Sequence, residues 1–107
     1  MVIVQNKTLI TKGNGDLLVE RFNKVGQIEH AEGFLGLEVL TNMKSKEQDE
    51  IVISTRWESK DDFYLWTKSQ AFRDAHSGKN KRPDYIIGNE VSFFSVDVVR
   101  MPIAQAL

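Results

Sequence analysis

The sequence predicts an α+β fold of the ferredoxin-like kind, βαββαβ, built on an antiparallel four-stranded sheet. Three observations lead there. Apolar and β-branched residues alternate near both ends of the chain, from Val2 to Thr11 and from Glu90 to Arg100. Two segments between them carry apolar residues at helical spacing, each behind a turn or a capping signal. The resulting order, strand-helix-strand-strand-helix-strand, is that of a sheet with helices on one face.

The first strand, Val2 to Thr11, is rich in β-branched residues. Gly13-Asn14-Gly15-Asp16 is a turn, with Asn14 or Asp16 available as a helix N-cap. Leu18, Phe22 and Val25 then recur at helical spacing, with Glu20, Arg21 and Lys24 on the wet side, which predicts a helix from about Asp16 to Gln27. Gly33 to about Asn42 reads as the second strand. Lys44 to Asp49 is a polar hairpin loop, and Glu50 to Trp57 the third strand. Ser59 with Asp62 three residues on resembles a capping box and starts the second helix. A second cap, Ser69, predicts that this helix breaks and restarts towards His76. Ser77 to Asp84, with Gly78, Asn80 and Pro83, is a loop. Glu90 to Arg100 is the last strand, and Met101 to Leu107 is a tail without an assignment.

Two helices cover only one side of such a sheet. The last strand is nevertheless apolar on both faces, Val91 and Phe93 on one and Phe94, Val96 and Val98 on the other. A second copy of the sheet is the simplest cover, which predicts a two-fold homodimer with a shared barrel-like core, a dimeric α+β barrel.

At 107 residues the chain is read as a single domain over 1–107. A net charge of −1 gives no long-range attraction for nucleic acid or anionic lipid. The absence of cysteine excludes disulfides, thiolate metal sites and cysteine nucleophiles, and fits a reducing compartment. The first residues lack the pattern of a secretory signal, and no apolar run approaches the roughly 20 residues needed to cross a membrane. A cytoplasmic, soluble protein is the expectation.

Three residues stand out for chemistry. Asn6 lies inside an apolar strand, on the face of Val2, Val4, Thr8 and Ile10, and its amide is an oriented donor that does not change charge near neutral pH. His76 lies one turn after Phe72, so both point from one helical face; imidazole is a common metal ligand and the usual proximal ligand of haem. Trp66, one turn after Phe63, is ten positions before His76. On an unbroken helix the two would stand about 15 Å apart along the axis, and a break at Ser69 folds them towards each other. Each residue also has a plainer reading: a strand asparagine satisfied by its neighbours, a histidine at a helix C-terminus, a core tryptophan. Together they suggest a flat, hydrophobic, metal-centred ligand, for which haem is the natural candidate. His30 falls in a connecting turn and reads as exposed. Lys79, Lys81 and Arg82 form a basic loop directly after His76, suited to carboxylates.

These residues also carry a resemblance. Asn6, Glu20-Arg21-Phe22, Glu32-Gly33-Phe34, Trp57-Glu58-Ser59, Phe63, Trp66, Phe72 and Ala75-His76 make the chain similar, from Val4 to about Val99, to the IsdG-like haem-degrading monooxygenases of the dimeric α+β barrel superfamily. The resemblance implies an oxidoreductase that uses haem as both substrate and oxygen activator, with O2 and an external electron donor such as a reductase. It implies that Asn6 hydrogen-bonds the distal ligand, that Trp66 presses the porphyrin out of plane, and that His76 is the axial ligand of the iron. It further implies that the first helix, with Arg21, Phe22, Lys24 and Ile28, lines the haem site together with Phe72. Two alternatives stay open on the same fold: a cofactor-free quinol-type monooxygenase, and a haem carrier or sensor that spares its ligand.

Overall fold

A computed structural model of the chain describes residues 1–75 and 83–104. The elements are β1 (Val2–Thr11), α1 (Gly15–Glu20), a single 3-10 turn (Ile28–His30), β2 (Phe34–Thr41), β3 (Gln48–Trp57), α2 (Lys60–Thr67), α3 (Gln70–Ala75) and β4 (Ile86–Ser95). The four strands form one antiparallel sheet in the order β2-β3-β1-β4. This is the ferredoxin-like α+β arrangement that the alternation and capping signals predict. Among the described residues no helix is long and apolar enough to cross a membrane.

Alternation along β1 sorts the two faces. Val4, Thr8 and Ile10 are buried, and so are Ile51, Thr55 and Trp57 on β3, which lie opposite Thr8, Val4 and Val2. This is the helix-covered side, because side chains two apart on a strand share a face. Ile10, Ile51 and Leu18 of α1 form the core cluster, with Val19, Val39, Ile53, Tyr85 and Ile86 packed around them. The opposite face carries Ile3 paired with Phe94, and the half-exposed Leu40 lies on it as well. Among the described residues no element covers that side.

Several boundaries differ from those expected. The first helix ends at Glu20 rather than Gln27. Of its apolar stripe only Leu18 reaches the core, while Phe22 and Val25 are exposed. A short helix is held by tertiary packing more than by propensity, so it stops where packing stops. Arg21 and Phe22 close the last turn by donating to Leu18 and Val19 carbonyls. Beyond it, both Glu29 carboxylate oxygens accept from the Gly26 amide at 3.1 Å, which anchors the 3-10 turn where a plain connection was expected. The last strand is displaced towards the N-terminus, to Ile86–Ser95 instead of 90–100. Its partner sets the limit: Ser95 pairs with Val2, Val96 donates to the Met1 carbonyl, and β1 has nothing further to offer. Val96 and Val98, expected on the strand, therefore leave the sheet, and Val98, Met101 and Ile103 are exposed. The third strand starts two residues early, because Gln48 still finds Thr11 opposite.

Both helix-capping expectations near α2 hold. Ser59 Oγ accepts from the Asp62 amide at 3.2 Å and donates to the Asp62 carboxylate at 2.9 Å. Gly33 makes room for this cap: it sits at φ 77°, and a Cβ there would collide with Asp62. Ser69 Oγ accepts from the Phe72 amide at 3.1 Å, and the helix breaks at that residue.

At α1 the expected cap is replaced. Asn14 donates its side-chain amide to Thr11 Oγ1, and neither Asn14 nor Asp16 caps the helix. Asp49, the second residue of β3, reaches across instead. Its Oδ2 accepts from the Gly15 amide at 2.8 Å and the Gly13 amide at 3.0 Å, and Lys12 Nζ stands 3.6 Å from Oδ1. The Gly15 hydrogen bond is the largest influence on its pKa and burial, which opposes it, the next; with the Gly13 hydrogen bond and the Lys12 charge added, the pKa is held below the ordinary aspartate value. A lowered folded pKa stabilises the fold above the unfolded value, about 3.9, and that contribution is lost as the pH falls through the folded value. Asp49→Asn is therefore expected to lower the thermal midpoint at neutral pH and to narrow the gap from the parent in strong acid. Melting curves followed by circular dichroism across that range check both signs.

Candidate active site

The helix-covered side of the sheet is not covered evenly. At one end Leu18 packs over Ile10 and Ile51. At the other, Phe63 of α2 meets Trp57 and Phe93 edge-on, with ring centroids 5.8 and 5.6 Å apart. Phe34 joins Trp57, and Tyr64 joins Phe93. Lys60 Nζ caps this end, 5.2 Å from the Phe93 centroid. In register, Ile51 lies opposite Thr8 and Phe93 opposite Val4. The two clusters are thus centred four residues apart along β1, about 13 Å at 3.3 Å per residue.

Asn6 lies midway between them. Its neighbours across the sheet are Ile53 and Val91, and Val91 is 46% exposed although it is on the helix-covered side. Phe93, on the same side, is 43% exposed. Asn6 is itself only half-buried, and its Oδ1 accepts from Asn89 Nδ2. The same Asn89 nitrogen also donates to Thr8 Oγ1 at 3.3 Å. The strip between the two clusters therefore offers apolar walls with an amide pair in its floor. A flat apolar ligand with one polar centre suits such a floor.

The two tryptophans differ in burial. Trp57 is fully buried and donates Nε1–H to Thr55 Oγ1 at 2.9 Å. Trp66, expected by default in the core, is half-buried and stands outside the Trp57 cluster. Across the break at Ser69 it meets Phe72 edge-on, with centroids 5.9 Å apart and planes at 85°. On one continuous helix those two rings would point about 120° apart around the axis, so the break brings them together.

Of the remaining expected site residues, Arg21, Phe22 and Lys24 are exposed in the segment after α1, and Ile28 is half-buried in the 3-10 turn. They are not on a helix continuous with α1, which corrects the expected Asp16–Gln27 helix as their scaffold. Among the described residues neither Arg21 nor Lys24 forms an ion pair. His30 is exposed at the end of that turn. His76 and the basic residues Lys79, Lys81 and Arg82 lie outside the described residues. The structure thus puts Asn6 in the sheet layer, and Trp66 and Phe72 together in the helix layer.

Asn89 escapes a reading of the sequence that starts the last strand at Glu90. The signal was present, since Asn89, Val91 and Phe93 alternate in phase, but it needs the true strand start at Ile86 to be seen. A separate cavity of about 260 Å3 opens on the uncovered face, lined among others by Ile3, Leu35, Glu38, Ser54 and Arg56. It lies on the far side of the sheet from Asn6, because Ile3 and Arg56 alternate out of phase with it.

Comparison with known proteins places this geometry. Residues 1–78 match the model of the antibiotic biosynthesis monooxygenase family. The chain is 70% identical over 106 residues, 99% of each chain, to a curated heme-degrading monooxygenase of Shouchella clausii (strain KSM-K16). It is 58% identical, again over 99% of each chain, to a heme-degrading monooxygenase of Bacillus mycoides (strain KBAB4). Among solved structures it is similar to the heme-degrader MhuD of Mycobacterium tuberculosis with two hemes bound in its active site. That similarity has a TM-score of 0.70 and 31% identity over 90% of this chain and 95% of the other.

Proposed function

Because this chain belongs to the antibiotic biosynthesis monooxygenase family, we propose that it cleaves haem with O2 and releases the iron. Near-full-length identity to the Shouchella clausii enzyme is the observation that carries this. The geometry supports it. A half-exposed apolar strip with one oriented amide fits a flat macrocycle, and a cluster of acidic or imidazole ligands for a bare metal ion is absent among the described residues. When bound, haem is the substrate and also supplies the iron that activates oxygen.

The residues divide the work by their chemistry. His76 would offer an imidazole nitrogen to the iron. Asn6, on the sheet side, would present a neutral donor to the bound ligand. Trp66 is a bulky ring on a broken helix, and it would crowd a macrocycle bound beside it. Phe72, edge-on to Trp66, keeps that indole from swinging away. Phe22 and Ile28 add apolar contact, while Arg21 and Lys24, which form no ion pair among the described residues, are suited to propionate carboxylates. Orientation of this kind supplies several kcal/mol of a barrier.

Electrons come from a separate donor, a reductase. The 107 residues work as one domain in the cytoplasm. A second copy covers the open sheet face with its own Ile3, Leu40 and Phe94, forming the homodimeric barrel.

Titration of the purified protein with haem is expected to develop a Soret band, and ascorbate or a reductase is expected to bleach it with release of iron. Mass analysis of the product distinguishes cleavage from adventitious bleaching. Stable haem under reductant would instead mark a carrier or sensor. The absence of any haem spectrum, with turnover of quinols, would mark a cofactor-free oxygenase.

A further inference from the structure

Asn6 can serve a ligand only if its amide faces the right way. The two ends of a side-chain amide are opposite in character: the oxygen only accepts and the nitrogen only donates. Asn89 is placed to decide between them. It lies directly across from Thr8 in the β1–β4 register and one diagonal step from Asn6, on the same face. Its nitrogen is shared between Asn6 Oδ1 and Thr8 Oγ1. Asn6 Oδ1 can only accept, so Asn89 faces it with its nitrogen, and the Thr8 hydroxyl, which can accept as well as donate, takes a hydrogen from the same end. With its oxygen engaged, Asn6 keeps both Nδ2 hydrogens, and among the described residues nothing accepts them. Asn89 is otherwise exposed, beside the half-exposed Val91. An exposed asparagine in a strand gains little from the fold itself, and strands disfavour it.

We propose that Asn89 is a positioning residue that fixes the Asn6 amide with its nitrogen turned towards the ligand. This rests on the haem reading above. It adds that the distal donor is a pair across two strands, with the second amide also polarising the first.

The test uses carbon monoxide on the ferrous haem complex, because its stretching frequency falls when a donor approaches its oxygen and rises when a lone pair does. Asn89→Asp keeps the shape but can only accept. Asn6 must then turn its nitrogen to the new carboxylate and its oxygen to the ligand. The stretch is expected to rise, in the same direction as in Asn6→Ala, while haem affinity is unchanged. The turnover number is expected to fall about tenfold, the size of one hydrogen bond in a polar site. Asn89→Ala, which frees the amide without repelling it, is expected to give a smaller rise. In the haem-free protein the Asn6 side-chain amide resonances, identified by their loss in Asn6→Ala, are expected to move in both Asn89 variants. A stretch that rises in Asn6→Ala but not in Asn89→Asp overturns the inference alone. A stretch indifferent to Asn6→Ala removes Asn6 from the ligand, and the inference with it, while haem cleavage stands. A parent protein that binds no haem overturns the functional reading and this inference together.

Discussion

Replacing His76 with alanine is expected to leave a folded protein whose haem spectrum has lost its imidazole signature. The chain has only two histidines, and His30 stands exposed at the end of a 3-10 turn. No cysteine is available as a substitute ligand. Loss of partners that merely support a metal ligand costs 10–100-fold, so loss of the ligand is expected to lower turnover by more than ~100-fold. The Soret maximum should shift and haem should titrate more weakly. His30→Ala should change none of these. Absorption titration and single-turnover bleaching under ascorbate measure all three. If the spectrum and turnover of His76→Ala match those of the parent, the axial assignment is wrong.

The second large effect separates the two tryptophans. Trp66→Ala is expected to fold and to bind haem, but to degrade it slowly. Its ring is half-buried and packs on Phe72 rather than in the core, so its removal costs little stability. Distortion of a bound substrate is worth ~1–5 kcal/mol, and a turnover number reduced about ten- to hundredfold with little change in haem affinity is expected. Trp57→Ala should do the reverse. That ring is 0% exposed, it contacts Phe34 and Phe63, and its Nε1–H satisfies Thr55. A loss of about 3–5 kcal/mol of stability is expected, read as a fall in the urea midpoint. Equal destabilisation by both substitutions, with the turnover number of Trp66→Ala unchanged, would place Trp66 among structural residues.

Much of this fold is legible locally. The period-2 pattern of Val2 to Thr11 needs no partner to be recognised, and Ser59 with Asp62 announces a helix start through bonds within one turn. The break at Ser69 is equally local, since its hydroxyl caps the next helix from three residues away. The candidate site is legible in part for a different reason. Asn6 is conspicuous because an amide in an apolar strand is unusual, and Trp66 and His76 through their spacing around the break at Ser69, while their separate roles come from a resemblance that the comparisons support at the level of the family.

What was not legible depends on residues far apart in the chain. The N-cap of α1 comes from Asp49, 34 positions beyond Gly15, and no short-range signal could announce it. The apolar stripe Leu18, Phe22 and Val25 promises a longer helix than the sheet has room to receive, so only Leu18 is buried and α1 ends at Glu20. Likewise Phe93 to Val99 continues to alternate past Ser95, but a strand lasts only as long as its neighbour, and β1 runs out at Val2. Asn89 acquires meaning only when the register sets it beside Thr8 and Asn6.

By itself, then, the amino-acid order determined which segments become strands and helices, where α2 starts and breaks, and which side chains are chemically able to meet a haem. Those properties follow from periodicity and from hydrogen bonds that close within a turn. Tertiary structure alone decided the lengths of α1 and β4, which tryptophan is buried, and the orientation of the Asn6 amide. Each of those depends on a free-energy gain from a partner many residues away, and a linear pattern carries no record of whether that partner is in reach.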